Sequence, residues 1–215
     1  MDDSRWQRLA AASGIVFVVL WLVGRFMRTV LVGSPDWDAP AQEIITFFAD
    51  NETALSVGSQ LGMLSIFFFL LFLGSLYSVL RRGEGDTGWL SALALGSGVA
   101  TGVLLIAANE FALQATHRAE GGIDPQVLRM LLSLSFHFDI RTGYMPAVLL
   151  AATAIVTFRT QALPGWLGWI GAVLAVAFLV TSPMEVPVPL VFLLFLLWVL
   201  ATSVVLIGRV GSSDE

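Results

Sequence analysis

The sequence contains no cysteine and no lysine, and it has few charged residues of any kind. Without cysteine the chain cannot form disulfides, cysteine-based zinc sites, iron–sulfur clusters or a thiol nucleophile. Without lysine it has neither the phosphate-binding lysine of a P-loop nor a Schiff-base lysine, which excludes a retinal protein of the usual kind. All 11 basic residues are arginine, and a net charge of −5 without a basic patch argues against nucleic acid as a partner.

The charged fraction is 13%, whereas soluble domains carry about 25%. The hydrophobic fraction is 57% and the mean hydropathy is +0.84, more apolar surface than a soluble fold of 215 residues can bury. Several apolar runs exceed the roughly 18 residues that are typical of a membrane helix. The sequence therefore predicts an all-α polytopic membrane protein, with six transmembrane helices in a single domain over residues 1–215 and the lipid bilayer as its surroundings.

The predicted spans are bounded by arginines, turn residues and prolines. They are Leu9–Val32, Ala54–Leu80, Trp89–Leu113, Phe136–Phe158, Leu163–Thr181 and Val188–Ile207. A polar loop is expected over Thr116–Asp124. The helical pattern from Pro125 to Phe158 would measure about 51 Å, too long for one crossing. We therefore expect an outer helical piece at 125–135 that leads into the fourth span, with Gly143 and Pro146 placed to kink the helix.

A short amphipathic helix is predicted over 40–50, in the longest polar connection. Ile44, Phe47 and Phe48 fall at positions i, i+3 and i+4, which gives an apolar stripe on one face. We expect this stripe to pack onto the extracytoplasmic end of the bundle or onto the membrane surface.

The arginines predict the orientation. With the N-terminus in the cytoplasm, most arginines lie inside, at Arg5, Arg8, Arg81, Arg82, Arg159 and Arg209. The charged residues of the first outer loop are then all acidic, namely Asp36, Asp38, Glu43, Asp50 and Glu52. This is the positive-inside bias. It predicts a plasma-membrane protein with both termini in the cytoplasm.

Polar residues from four spans fall at one depth, near the outer edge of the hydrocarbon core. Arg25 lies about 25 Å along the helix from Arg8, and Glu110 about 32 Å from Trp89. The full set of candidate ligand-binding residues is Arg25, Arg28, Gln60, Asn109, Glu110, His137, Asp139, Arg141 and Tyr144, with Glu185 as a further member of the layer. Ionisable residues within spans are costly and usually functional. Arg25 and Arg28 would pair with Glu110 or Asp139, and Glu110 is the first choice.

A purely structural interpretation of the same layer stays open. Polar residues occur wherever the bilayer ends, and Arg25 and Arg28 are able to snorkel outward. A zinc site needs three convergent ligands, whereas the chain has two histidines and no HExxH motif, so no metal and no cofactor are predicted.

Three functional hypotheses follow from this layer. The first is a non-enzymatic protein that binds a small molecule, a lipid or a membrane-protein partner, including a second copy, in an outer polar pocket. The second is a small secondary transporter, which the lack of a midplane carboxylate argues against. The third is a membrane enzyme that uses His137, Asp139, Glu110 and Ser135. No catalytic residue is assigned.

The order of features resembles a group of bacterial six-helix membrane proteins grouped as a domain of unknown function. The shared features are an arginine-bearing head before Leu9–Gly14, an acidic outer loop with an amphipathic helix, and a polar start to the fourth span. The resemblance covers nearly the whole chain. It implies a bacterial membrane protein and transfers no catalytic residue.

Overall fold

The computed structural model describes residues 3–33, 39–85, 88–184 and 188–211. These residues form eight α-helices and no strand. The helices are α1 Asp3–Phe26, α2 Ala41–Asp50, α3 Glu52–Glu84, α4 Trp89–Glu120, α5 Pro125–Arg141, α6 Tyr144–Thr160, α7 Gly165–Thr181 and α8 Val188–Gly211. Helix α1 continues into a π-helical turn over Met27–Leu31.

Five helical segments are long and apolar enough to cross a membrane. They are Trp6–Leu31, Glu52–Glu84, Trp89–Ala119, Pro125–Thr160 and Pro189–Arg209. The remaining apolar helix, α7, has 17 residues, at the lower limit of the usual range of about 17–25. Its outward side chains are apolar, and Trp169, Val173 and Val176 are all more than 60% exposed. The chain is therefore an all-α polytopic membrane protein, as the sequence predicts.

Two predicted boundaries were wrong. The predicted division between the outer piece and the fourth span, at 135, lies instead at Thr142–Gly143, between α5 and α6, so Phe136 belongs to the same helix as Pro125. Gly143 is a predicted kink site, and the helix is interrupted there. The predicted polar loop from Thr116 also starts too early, because α4 continues to Glu120. Ala115 and Ala119 are buried there, and this packing extends the helix beyond the apolar run.

The chain forms two compact units. The first comprises Met1–Val18, Phe67–Val103 and Ile140–Glu215. Its core is rich in phenylalanine, and the rings that are completely buried are Phe17, Phe69, Phe72, Phe178 and Phe195. The rings of Phe17 and Phe69 lie 4.8 Å apart, centroid to centroid. Trp198 donates a hydrogen bond of 3.1 Å from its indole Nε1 to the carbonyl oxygen of Leu167. That bond satisfies a buried polar group and ties α8 to α7.

Glu84 joins α3 to α4 within the first unit. Its carboxylate accepts hydrogen bonds from the backbone N–H of Leu90 at 3.0 Å and of Ser91 at 2.8 Å. The Ser91 hydroxyl donates to it as well, at 2.6 Å. The carboxylate thus caps the free N–H groups at the start of α4. Gly85, directly after α3, has a φ of +78°, a conformation that glycine adopts without strain.

The second unit comprises Val19–Ile66 and Leu104–Asp139. Helix α2 packs its apolar stripe into this unit, as predicted. Ile44 and Phe48 are buried in a cluster that also contains Leu55 of α3, Ala115 of α4 and Leu128 of α5, and Phe47 packs against its edge. The same unit holds the polar residues described next. The prediction of a single domain over the chain stays a prediction.

Candidate functional site

Helices α1 and α3 are in backbone contact through glycine. A Cβ added to Gly24 would lie 2.6 Å from the carbonyl oxygen of Gly58 and 3.2 Å from the backbone nitrogen of Gly62. A Cβ on Gly58 would in turn lie 2.8 Å from the carbonyl oxygen of Gly24. Only glycine allows two helices to approach this closely, and such contacts are typical of helix pairs in membranes.

The side chain of Arg28 lies across this contact. It belongs to the π-helical turn that follows α1, and its Cγ is 2.7 Å from the position that a Cβ on Gly58 would occupy. The absence of a side chain at Gly58 therefore gives the arginine its place against α3. The Nε atom of Arg28 is buried and has no hydrogen-bond partner within the part of the chain that the structure describes.

Arg25 and Asp139 form an ion pair between α1 and α5. The Nη1 atom of Arg25 lies 3.7 Å from Oδ2 of Asp139, and the two side chains are 37% and 41% exposed. Arg28 lies within electrostatic reach of both residues. We call Arg25, Arg28 and Asp139 the arginine–aspartate cluster. It contains two cations and one anion, so it carries one excess positive charge.

Asn109, on α4, also contacts α3, one helical turn further along that helix than Arg28 does. Its side chain is buried and covers Gly62, where an added Cβ would be 2.7 Å from the amide oxygen. The amide nitrogen donates to the carbonyl of Leu105 at 2.8 Å, whereas the buried amide oxygen has no partner among the described residues. Since Gly58 and Gly62 are four residues apart, Arg28 and Asn109 cover successive turns of one face of α3.

The structure does not bring the other predicted residues of this unit into the cluster. Glu110 is exposed and accepts a hydrogen bond of 2.9 Å from Gln114, so the first-choice partner for Arg25 was wrong. Gln60 is also exposed. His137 is exposed, and its Nδ1 lies 2.7 Å from the carbonyl oxygen of Ser133 on its own helix.

Three candidates remain. Arg141 and Tyr144 belong to the first unit, where Arg141 is exposed at the end of α5 and Tyr144 is half-buried at the start of α6. Glu185 lies outside the described residues.

Two observations on the described residues concern the enzyme hypothesis. No group of three or more His, Asp or Glu side chains within the described part of the chain is placed to hold a metal ion. Ser135, the serine considered as a nucleophile, donates its hydroxyl hydrogen to the carbonyl oxygen of Ala108 at 2.8 Å. That bond ties α5 to α4 and engages the hydroxyl in packing.

The glycines that build the site were not predicted from the sequence. Gly58-Ser59-Gln60-Leu61-Gly62 is a GxxxG pattern within an apolar run, a recognised signal for close helix packing in membranes. It would have placed α3 against another span at this depth. The π-helical turn around Arg28 has no comparable signal in the sequence.

Comparison with known proteins identifies no relative. No protein-family model, no curated protein and no solved structure matches the chain. The chemistry of the arginine–aspartate cluster is therefore the basis for inferring what the protein does.

Proposed function

We propose that this protein is a multi-pass membrane protein that binds a small molecule, a lipid or a protein partner through the arginine–aspartate cluster. One observation carries the proposal. Arg28, inside an apolar membrane-spanning segment, has a buried Nε that no described residue satisfies. A buried donor without a partner destabilises the folded protein by about 1–3 kcal/mol, and by more when the group is charged. A bound acceptor would recover that free energy.

The competing explanation is that both arginines merely snorkel toward water. Two contacts favour binding over that explanation. The stem of Arg28 is held across Gly58, and Arg25 is directed to an acidic residue on a different helix. Charged side chains within membrane segments are rare, and those that face other helices usually mark a ligand or ion pathway.

The cluster is proposed to lie at the extracytoplasmic end of the protein, with both termini in the cytoplasm. The arginine-rich connections on the opposite side support this orientation, and so does the acidic first loop. Helix α2 would then cover the extracytoplasmic end. The resemblance to bacterial six-helix proteins of unknown function supports a bacterial cell membrane as the location and membership of that group.

Native mass spectrometry of the purified full-length protein tests the binding proposal. A co-purifying molecule should be retained by the wild-type protein and lost from Arg28→Gln. The matched control is Arg118→Gln, which removes an exposed arginine of the same unit and should retain the molecule. Equal retention by all three proteins, or no retained species in the wild type, would contradict the proposal.

A further inference from the structure

We infer that the ligand of the arginine–aspartate cluster is a phosphate oxyanion, presented by a phospholipid headgroup or by a free phosphate. This inference rests on the proposed function, because it names the chemical class of ligand for that same site. Three observations lead to it: the charge of the cluster, the geometry of Arg28 and the surface around the cluster.

The charge of the cluster favours an anion. The charged groups that act on Arg28, within the described chain, are Arg25 and Asp139. Because Asp139 already lies beside Arg25, one guanidinium charge is left without a counterion in the cluster. An anionic ligand would compensate that charge, whereas a cation would be repelled by two arginines.

The geometry of Arg28 favours a phosphate. A guanidinium presents a planar set of N–H donors that matches two oxygens of a phosphate at once. The Nε donor of Arg28 is buried and unused, and the Cγ of its stem lies against the backbone of Gly58. This contact limits the positions open to the stem, which lowers the entropy cost of binding a ligand.

The surface near the cluster favours access from the lipid. Phe136 lies three residues before Asp139, on the same side of α5, and is 54% exposed. Exposed apolar side chains of this size face acyl chains in a membrane protein. Basic pockets between membrane helices bind phosphate-bearing headgroups on the cytoplasmic or matrix side, and the same attraction between charges operates at the other surface. A phospholipid would reach the cluster from this side, and a soluble phosphate would reach it from water.

The test measures binding of two phosphate sources to delipidated full-length protein. Phosphatidylglycerol is titrated in detergent micelles and counted by native mass spectrometry. Inorganic phosphate is titrated against chloride at equal ionic strength, with the thermal unfolding midpoint as the readout. The proteins are wild type, Arg28→Gln, Arg28→Lys and the Arg118→Gln control. Arg28→Lys keeps the charge and removes the planar set of donors.

The wild type and Arg118→Gln should bind at least one of the two sources equally well. Arg28→Gln should bind it about tenfold more weakly, the loss expected for one charge-assisted hydrogen bond. Arg28→Lys should fall between them. Binding of phosphatidylglycerol alone identifies the lipid as the source, and binding of inorganic phosphate identifies the soluble one.

Two results would overturn the inference. One is that neither source binds the wild type, and the other is that Arg28→Lys binds as well as the wild type while Arg28→Gln unfolds. If the wild type still retains a co-purified molecule without phosphate, and Arg28→Gln loses it, the proposed binding function stands and only the phosphate assignment fails. If the wild type retains no ligand of any kind, both fail.

Discussion

The Nη1 atom of Arg25 lies 3.7 Å from Oδ2 of Asp139, and this ion pair joins α1 to α5. At that distance the two groups attract each other without a direct hydrogen bond. Both side chains are more than a third exposed, so solvent and headgroups weaken the attraction. The pair is therefore better suited to position the two groups for a ligand than to stabilise the fold.

The first prediction concerns the coupling between these two residues. Arg25→Ala and Asp139→Asn should each lower the thermal stability in detergent slightly. The double variant should lose less than the sum, with a coupling of about 0.5–1 kcal/mol as expected for a partly exposed pair. The control pairs Arg25→Ala with Glu110→Ala, whose effects should add because Glu110 interacts with Gln114. Additive losses for Arg25 and Asp139 would show that the two groups do not interact.

The sequence predicts the depth of a residue in the membrane better than the direction in which its side chain points. Helical rise placed Arg25, Glu110 and Asp139 at one level, and that alone could not choose between the two carboxylates. Successive residues of a helix point about 100° apart, as 3.6 residues per turn requires. Asn109 faces inward onto Gly62, so its neighbour Glu110 faces outward. Fixing the direction of a span needs the packing partner, which only the structure supplies.

The sequence predicts a helix well where the length of an apolar run determines it. It does not predict the end of a helix where packing against other helices determines that end. The apolar runs identify α3 and α8 because about 20 apolar residues suffice to span a bilayer. The extension of α4 to Glu120 depends on Ala115 and Ala119, which are buried in the cluster that α2 completes. The break at Thr142–Gly143 likewise depends on local packing, because Gly143 is in close contact with Phe178 and Ser182.

The second prediction tests the glycine contact between α1 and α3. Gly24→Ala should destabilise the protein by about 1–3 kcal/mol, because the new Cβ would meet the backbone oxygen of Gly58 and overpacking cannot be relieved by a side-chain rotation. The matched control is Gly74→Ala on α3, where no atom lies within 4 Å of the added Cβ. Gly74→Ala should be neutral or slightly stabilising, since alanine favours helix by about 1 kcal/mol over glycine. Unfolding midpoints that do not separate the two variants would argue against the close contact.

The third prediction concerns the Glu84 cap. Glu84→Ala should lower stability by about 1 kcal/mol, because the N–H groups of Leu90 and Ser91 lose their acceptor at the start of α4. Hydrogen exchange should quicken at the first turn of α4 and stay unchanged in α2, which lies in the other unit. Arg82→Ala, at an exposed position two residues earlier, serves as the control and should leave that exchange rate unaltered.

The fourth prediction tests the proposed orientation. The chain has no cysteine, so single cysteines give an unambiguous signal. Gly121→Cys, after α4, should react with an impermeant thiol reagent on intact cells. Gly165→Cys, at the start of α7, should react only after the cells are opened. An added Cβ meets no atom within 4 Å at Gly165, and at Gly121 it meets only a backbone oxygen at 3.7 Å, so both variants should fold. Labelling in the reverse pattern would place the arginine–aspartate cluster on the cytoplasmic side.

The fifth prediction concerns the docking of α2. Ile44 is 1% exposed and packs in the cluster with Leu55, Ala115 and Leu128, so Ile44→Ala removes buried methyl groups and leaves a cavity. The substitution should lower the free energy of unfolding by about 2–5 kcal/mol. Because α2 is short, most of this loss should weaken the packing of α2 against the other helices. Protease cleavage between Gly33 and Thr53 should therefore become faster.

The control for this experiment is Gln42→Ala, at an exposed position of the same helix, which should leave the cleavage rate unchanged. A second variant, Phe48→Ser, should act like Ile44→Ala because Phe48 is buried in the same cluster. If Ile44→Ala lowers stability while cleavage of 33–53 stays at the wild-type rate, α2 is not released separately. In that case α2 unfolds together with the helices against which it packs.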